Sequence, residues 1–329
     1  MSAAANPMKM DEFSALARRI EAEVGRVIVG QHEIVRSAII CIIAGRHALL
    51  EGVPGLGKTM LIRTLSEVLD LPFSRIQFTP DLMPADITGT DILEDTEQGG
   101  KVRRFQAGPI FASLVLADEI NRATPKTQAA MLEAMQEKTV TVGGKRYDLK
   151  EPFFVLATQN PLDMEGTYPL PEAQLDRFLF KVNVNFPSVG DLITILERTT
   201  GTATVVPQKV ANAEQIMAMR HLALSTPVVS HITDYVARLI VATHPEGPTG
   251  TAMVKQYVGV GASPRGAQAL ILGAKVNALL EGRFNVAYED VEAVVLPSLR
   301  HRILLNFEGK GADIATDVVL QDLLKTVKR

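Results

Sequence analysis

A chain of 329 residues in which 47% of side chains are hydrophobic and 22% charged is long enough for two domains with cores of their own and too apolar to be disordered over most of its course. With 34 basic and 37 acidic residues it lacks the overall positive charge that drives non-specific nucleic-acid binding, leaving only a local basic patch for that purpose. Its single cysteine excludes an internal disulfide.

Met1 to Met10 reads as loose and has no basic segment leading into an apolar run and a cleavage site, so no targeting signal is expected. Phe13, Leu16, Ile20, Val24 and Val27 recur at spacings of three and four, the apolar face of a helix over 11–27. A second helix is expected over 31–44. Its run Ile39-Ile40-Cys41-Ile42-Ile43 suits a buried, reduced thiol and so a cytoplasmic protein. The apolar run stops at Arg46, far short of the roughly 20 residues that a membrane span requires.

Short β-prone runs separated by helices follow at 47–51, 73–79, 113–117, 153–158 and 180–186. This alternation predicts an α/β domain on a mostly parallel sheet, ending near Pro187. From Val189 onward, 191–199, 213–225, 231–242, 263–280 and 288–305 read as helices, with breaks at Pro207, Pro227, Pro245, Gly247 and Pro248. Two domains are therefore expected, 1–187 and a smaller, all-helical 188–329. The six histidines are scattered without metal-binding spacing.

After the apolar run His47-Ala48-Leu49-Leu50 comes Gly52-Val53-Pro54-Gly55-Leu56-Gly57-Lys58-Thr59, which fits G-x-x-x-x-G-K-[ST] and leads into a helix from Met60. Glycines let backbone N–H groups converge on phosphate oxygens, and the helix N-terminus adds partial positive charge. Gly52, Pro54, Gly55, Leu56, Gly57, Lys58, Thr59 and Met60 make up the expected nucleotide cradle. Lys58 would neutralise the β- and γ-phosphates and Thr59 would ligate Mg²⁺. A Gly-Pro turn that merely precedes a helix is the alternative, and the strand–loop–helix context weighs against it.

About sixty residues later an apolar strand ends in Asp118-Glu119, at the end where α/β folds bind their ligands. Asp118 suits Mg²⁺, and Glu119 suits orientation and polarisation of the attacking water. On its own such a strand end is more often simply solvated; beside a phosphate loop it is a nucleotide-hydrolysis pair. The strand at 153–158 leads to Asn160, which can bond the γ-phosphate or the lytic water, or can be an ordinary turn residue before Pro161.

With these motifs the chain resembles the AAA+ ATPases, and among them the MoxR family, from Asp11 to Gly309. The shared segments include Val29-Gly30-Gln31, Phe78-Thr79-Pro80-Asp81-Leu82-Met83-Pro84, Gly108-Pro109-Ile110-Phe111, Asp118-Glu119-Ile120-Asn121-Arg122-Ala123, Leu175-Asp176-Arg177-Phe178 and Ser263-Pro264-Arg265-Gly266. The resemblance implies a P-loop AAA+ core with a helical lid, Mg²⁺-dependent turnover of ATP to ADP and phosphate, and a ring of identical chains, a hexamer. Asn160 is similar to the sensor-1 residue and Arg265 to sensor 2. Arg177 is similar to an arginine finger that reaches the adjacent subunit's γ-phosphate, and Val29-Gly30 to the segment beside adenine. Read from the residues alone, a surface salt bridge of Arg177 with Asp176 or Glu172 and a solvated helix-start arginine at 265 are the favoured readings.

The resemblance also implies a helix-2 insert near 88–107 and a pre-sensor-1 hairpin near 139–149. The second reads independently as a hairpin around Gly143-Gly144, facing a pore or forming plain edge structure. Partners implied are a protein with a von Willebrand factor A domain and a client protein that is remodelled or matured. Two other readings share the motifs: the motor subunit of a metal chelatase, for which no tetrapyrrole site is visible, and a nucleic-acid motor. The second is disfavoured by five Tyr, no Trp and a near-neutral charge balance. A nucleotide-gated scaffold without turnover conflicts with the presence of Glu119, Asn160 and Arg177.

Overall fold

The structure, a computed structural model, describes residues 8–95, 100–161, 166–201 and 205–329. Of the expected loose N-terminus 1–10, residues 1–7 lie outside the described residues, as do residues 96–99 in the middle of the expected insert, while Met10 already begins a helix.

Helix α1 (Met10–Val27) buries Phe13, Leu16, Ala17, Ile20 and Val24 along one face. Helix α2 (His32–Ala44) is apolar nearly all round because it packs on α1 and on the sheet and is covered by helices from later in the chain. It ends at Gly45 in the left-handed region (φ +63°), where a Cβ would fall 2.4 Å from the Arg220 guanidinium carbon. The chain then runs through β1 (Ala48–Glu51), α3 (Lys58–Val68), β2 (Phe73–Gln77), α4 (Pro84–Thr88), β3 (Gly89–Asp95), β4 (Lys101–Ala107) and β5 (Leu114–Asp118). It continues with α5 (Pro125–Glu137), β6 (Thr139–Val142), β7 (Lys145–Asp148), β8 (Phe154–Gln159), α6 (Glu172–Leu175) and β9 (Phe180–Asn183).

Five of these strands form one parallel sheet in the order β2-β5-β8-β1-β9. The central strands β1, β5 and β8 are buried on both faces, as a parallel sheet covered by helices requires. Each strand delivers a polar residue at its C-terminal end: Glu51, Gln77, Asp118, Gln159 and Asn183. Two antiparallel hairpins stand apart from the sheet, β3 with β4 and β6 with β7. The second turns on Gly143 (φ +57°) and Gly144 (φ +81°), a two-residue loop needing positive φ at both positions. The hairpins meet where Phe105 stacks on Tyr147 at 4.0 Å between ring centroids.

Beyond β9 come α7 (Val189–Thr199), α8 (Ala213–Ser225), α9 (Ser230–Ala242), α10 (Ala252–Tyr257), β10 (Val258–Val260), α11 (Pro264–Leu280), α12 (Tyr288–Leu299), β11 (Leu304–Leu305), α13 (Phe307–Gly311) and α14 (Thr316–Thr326). This helical lid packs on the core mainly through α11, where Gly273 lies against the Phe180 ring and a Cβ would fall 2.9 Å from Phe180 Cζ. Two details depart from the all-helical expectation. A short antiparallel ladder joins β10 and β11. The segment expected as one helix over 288–305 leaves the helix after Leu299, because Arg300 and Arg302 turn back to bond backbone carbonyls of the core. Among the described residues no helix is long and apolar enough to cross a membrane.

Candidate functional site

The loop after β1 lies at the C-terminal edge of the sheet, beside the point where the strand order reverses. Gly55 (φ +84°) and Gly57 (φ +74°) hold conformations that other residues rarely adopt, and none of the described residues lies within 4 Å of a Cβ at either position. The first helical hydrogen bond of α3 runs from Leu61 N–H to Gly57 O, so the amides of Lys58, Thr59 and Met60 stand ahead of the ladder and face the loop's open side. Lys58 Nζ donates to Gly52 O. Burial pushes its pKa down, and the nearby carboxylates of Asp118, Glu119 and Glu51 oppose that shift.

The loop is anchored from behind. Leu56 is buried in the core, and Gln31 Nε2 donates to its carbonyl at 2.9 Å, which ties the Val29-Gly30-Gln31 segment to the phosphate loop. Gly52 packs against the chain leaving β9, where a Cβ would fall 2.8 Å from Val184 Cβ. Gly30 (φ +72°) sits against Asp191 of α7, whose carboxyl carbon is 2.4 Å from where a Cβ would be. Met60 is half exposed on the first turn of α3.

Facing the loop, β5 delivers Asp118 and Glu119. Asp118 Oδ1 accepts from Thr158 Oγ1 at 2.7 Å, and its Oδ2 takes a fork from Arg75, with Nη2 at 2.7 Å and Nε at 3.1 Å. Glu119 is left-handed (φ +56°, ψ +50°), a costly conformation for a non-glycine residue. Its N–H is held by Thr158 Oγ1 at 2.8 Å, and its Oε2 accepts from Gln77 Nε2 at 3.1 Å and Arg122 Nη1 at 2.9 Å. Asn160, 7% exposed, completes a cleft lined by Pro54 to Thr59, Arg75, Gln77, Asp118, Glu119 and Thr158. The hydroxyl of Thr59 and the carboxylate of Asp118 are hard oxygen donors of the kind that Mg²⁺ prefers, and the open, positive-φ glycines suit phosphate oxygens. The chemistry of the residues fits both groups.

Arg177 and Arg265 are elsewhere. They line a second cleft, with Arg46, His47, Asp176 and Arg302, that shares no residue with the first. His47 and Arg46 precede β1, and Leu179 N–H bonds His47 O as the chain enters β9, so this cleft lies at the N-terminal edge of the sheet. The four residues of β1, about 13 Å of strand, separate it from the phosphate loop. An arginine side chain cannot span that distance back to its own chain's loop. The structure thus brings Lys58, Thr59, Asp118, Glu119 and Asn160 together, and puts Arg177 and Arg265 together at the opposite edge. Arg177 Nε is buried there without a hydrogen-bond partner among the described residues.

The model of the ATPase family associated with various cellular activities (AAA) matches residues 47–180, and that of the AAA lid domain matches 251–322. The chain is similar to Chaperone MoxR1 of Mycobacterium tuberculosis, at 42% identity over 96% of this chain and 82% of the relative. The chain belongs to the MoxR family of AAA+ ATPases. Other relatives are alike over almost their full length. YeaC of Bacillus subtilis, an uncharacterized protein, is 39% identical over 97% of this chain and 96% of its own, and Protein MoxR of Methylorubrum extorquens 32% identical over 94% of each. The crystal structure of a protein from Cytophaga hutchinsonii, assigned as an ATPase, superposes with a TM-score of 0.90 at 38% identity, covering 97% of this chain and 96% of that one.

Within this MoxR-type cleft, sequence reasoning missed Arg75, Gln77, Arg122 and Thr158. Parallel register explains two of them: Gln77 pairs with Asp118 across β2 and β5, and Arg75 lies two residues earlier on the same face. The available signal was the polar residue at the end of each apolar strand. His47 was read as one of the scattered histidines; it is a buried clamp, accepting Val155 N–H at Nδ1 and donating from Nε2 to Met135 O, each at 3.0 Å.

Proposed function

We propose that this chain hydrolyses ATP with Mg²⁺ in a ring of identical subunits and uses the energy to remodel or mature partner proteins. The observation that carries the reading is the division of one catalytic set between two edges of the sheet. The loop at 52–59 and the pair Asp118-Glu119 lie at one edge, and Arg177 with Arg265 at the other. A head-to-tail ring brings the arginine edge of one subunit to the phosphate edge of the next, and a heterologous interface that closes on itself, as in a hexamer, does this for every subunit.

In this reading the amides of 55–60 and Lys58 bind the triphosphate of ATP. Val29 and Gly30, tied to the loop through Gln31, flank the base. Thr59 and Asp118 would hold Mg²⁺, which supplies charge neutralisation between the β- and γ-phosphates. Glu119 orients the lytic water and takes its proton, and Asn160 bonds the γ-phosphate or that water. Arg177, whose Nε has no hydrogen-bond partner among the described residues, stabilises the charge developing on the neighbour's γ-phosphate, and Arg265 acts beside it.

The name of the Mycobacterium tuberculosis relative supports a chaperone-like role. A partner with a von Willebrand factor A domain and a client gripped by the paired hairpins are the interactions proposed. The test is ATP turnover by the purified chain with and without Mg²⁺, beside Lys58→Ala and Glu119→Gln. The reading requires loss of nucleotide binding in the first variant, and binding with turnover reduced at least about 100-fold in the second. Normal turnover by Glu119→Gln would remove the assigned base.

A further inference from the structure

The segment that carries Arg177 is held on both sides by the lid. Arg302, just past the end of α12 and 4% exposed, donates Nε to Asp176 Oδ1 at 2.7 Å, and Nη2 to Asp176 O at 2.9 Å and Phe178 O at 2.7 Å. Its Nη1 reaches Leu179 O at 3.2 Å and also bonds Ser298 O. His301 donates Nε2–H to Phe178 O at 3.1 Å. Two consecutive lid residues thereby hold the backbone carbonyls immediately before and after Arg177. The free oxygen of Asp176, Oδ2, accepts from Ser263 Oγ at 3.1 Å and lies 3.6 Å from Arg265 Nη1. Ser263 is the N-cap of α11 and accepts Arg265 N–H.

One carboxylate therefore joins Arg302 to the turn that carries Arg265 and sits one residue from Arg177. Burying a guanidinium is unfavourable unless every donor finds an acceptor. A planar fork reading four carbonyls and a carboxylate fixes orientation in a way that a point charge does not. Packing alone would be met by an apolar side chain. What this arrangement adds is a fixed geometry for Arg177 relative to Arg265 and to the lid.

We infer that Arg302 is a positioning residue for the ATPase reaction. Through Asp176 and the 176–179 backbone it locks Arg177 and Arg265 into one unit aimed at the neighbouring subunit's nucleotide. The inference rests on the reading of Arg177 as a group that acts across the subunit boundary. Its consequence is that Arg302 serves the neighbour's site and not its own.

The test uses full-length Arg302→Met and Arg302→Lys, with Arg177→Ala in parallel, each alone and each mixed with Lys58→Ala chains. Those chains lack a working phosphate loop but keep Arg177, Arg265 and Arg302. Arg302→Met should bind a fluorescent ATP analogue as the parent does while its kcat falls about 100-fold, the scale expected when a catalytic group is displaced by about 1 Å. Mixing with Lys58→Ala should restore turnover. Arg302→Lys, which keeps the charge and loses the fork, should fall between the two. Backbone amides of 176–180 should exchange faster in Arg302→Met, with those of 48–60 unchanged.

If Arg302→Met does not fold, Asp176→Asn carries the same comparison, since Arg302 then retains its carbonyl acceptors. Rescue of Arg177→Ala combined with normal turnover, or an unrescued defect, in the Arg302 or Asp176 variant overturns this inference alone. Unaltered exchange over 176–180 does the same. Failure to rescue Arg177→Ala overturns the reading beneath it.

Discussion

Thr158 and Asp118 are joined side chain to side chain, the Thr158 hydroxyl donating to Asp118 Oδ1 at 2.7 Å while it accepts the N–H of Glu119 at 2.8 Å. One hydroxyl on β8 thus sets both acidic residues at the end of β5. It also satisfies an amide that the left-handed backbone of Glu119 turns out of the sheet ladder. Thr158→Val keeps the shape, removes both bonds and leaves that amide unpaired. The expected loss is about 1–3 kcal/mol at the site, which corresponds to a roughly tenfold or larger fall in kcat with little change in ATP affinity. Steady-state kinetics check it, and a variant with parental kcat contradicts the role.

Arg75 covers Asp118 Oδ2 from β2 and competes with any cation for that carboxylate. Arg75→Ala should lower the Mg²⁺ concentration that gives half-maximal turnover, by about twofold to tenfold, since the pair is partly exposed and screened. A Mg²⁺ titration decides it; a higher requirement would mean that Arg75 supports the metal site instead of shielding it.

Gly52 has no room for a methyl group, since a Cβ would lie 2.8 Å from Val184 Cβ and 2.9 Å from Val184 O. Gly52→Ala should cost about 1–3 kcal/mol by pushing the phosphate loop off the chain that follows β9. Thermal melting with and without ATP measures the effect. The expected result is a lower melting temperature and a smaller rise on adding ATP.

His47 is buried and neutral, its pKa lowered by burial to about 4, and burial holds His301 well below its ordinary value too. Because the folded values lie below the unfolded one, the unfolded chain binds protons more readily. The stability from His47 is present above about pH 6.5 and is lost as pH falls towards 4, at up to about 1.4 kcal/mol per unit, and His301 acts in the same direction. Melting temperature should fall across that window. His47→Gln should flatten the fall; an unchanged slope would show that His47 is not its source.

The loop at 52–59 and the Asp118-Glu119 pair stand out in the sequence because the chemistry proposed for them needs residues close together, at the end of an apolar strand. The five sheet strands were legible for the same local reason. Arg75, Gln77 and Thr158 were not, since they enter the cleft through strand order, and the order β2-β5-β8-β1-β9 is not written in any one segment. Nor does sequence spacing reveal that Arg177 stands at the far edge from Lys58, or that Arg302 reaches back 126 residues to Asp176. The β10–β11 ladder escaped notice because two residues paired with three give no periodicity to read.

The central claim is that each active site is completed by the arginines of the next subunit. It is tested most directly by ATP turnover of an equimolar mixture of Lys58→Ala and Arg177→Ala chains. Each is expected to be inactive alone, the first for want of a phosphate cradle and the second for want of charge stabilisation from its neighbour. In mixed rings an Arg177→Ala subunit keeps an intact cradle, carboxylates and lytic base, and receives Arg177 from an adjoining Lys58→Ala subunit. The account predicts that the mixture regains a substantial share of parental turnover. A mixture as inactive as its components would contradict it.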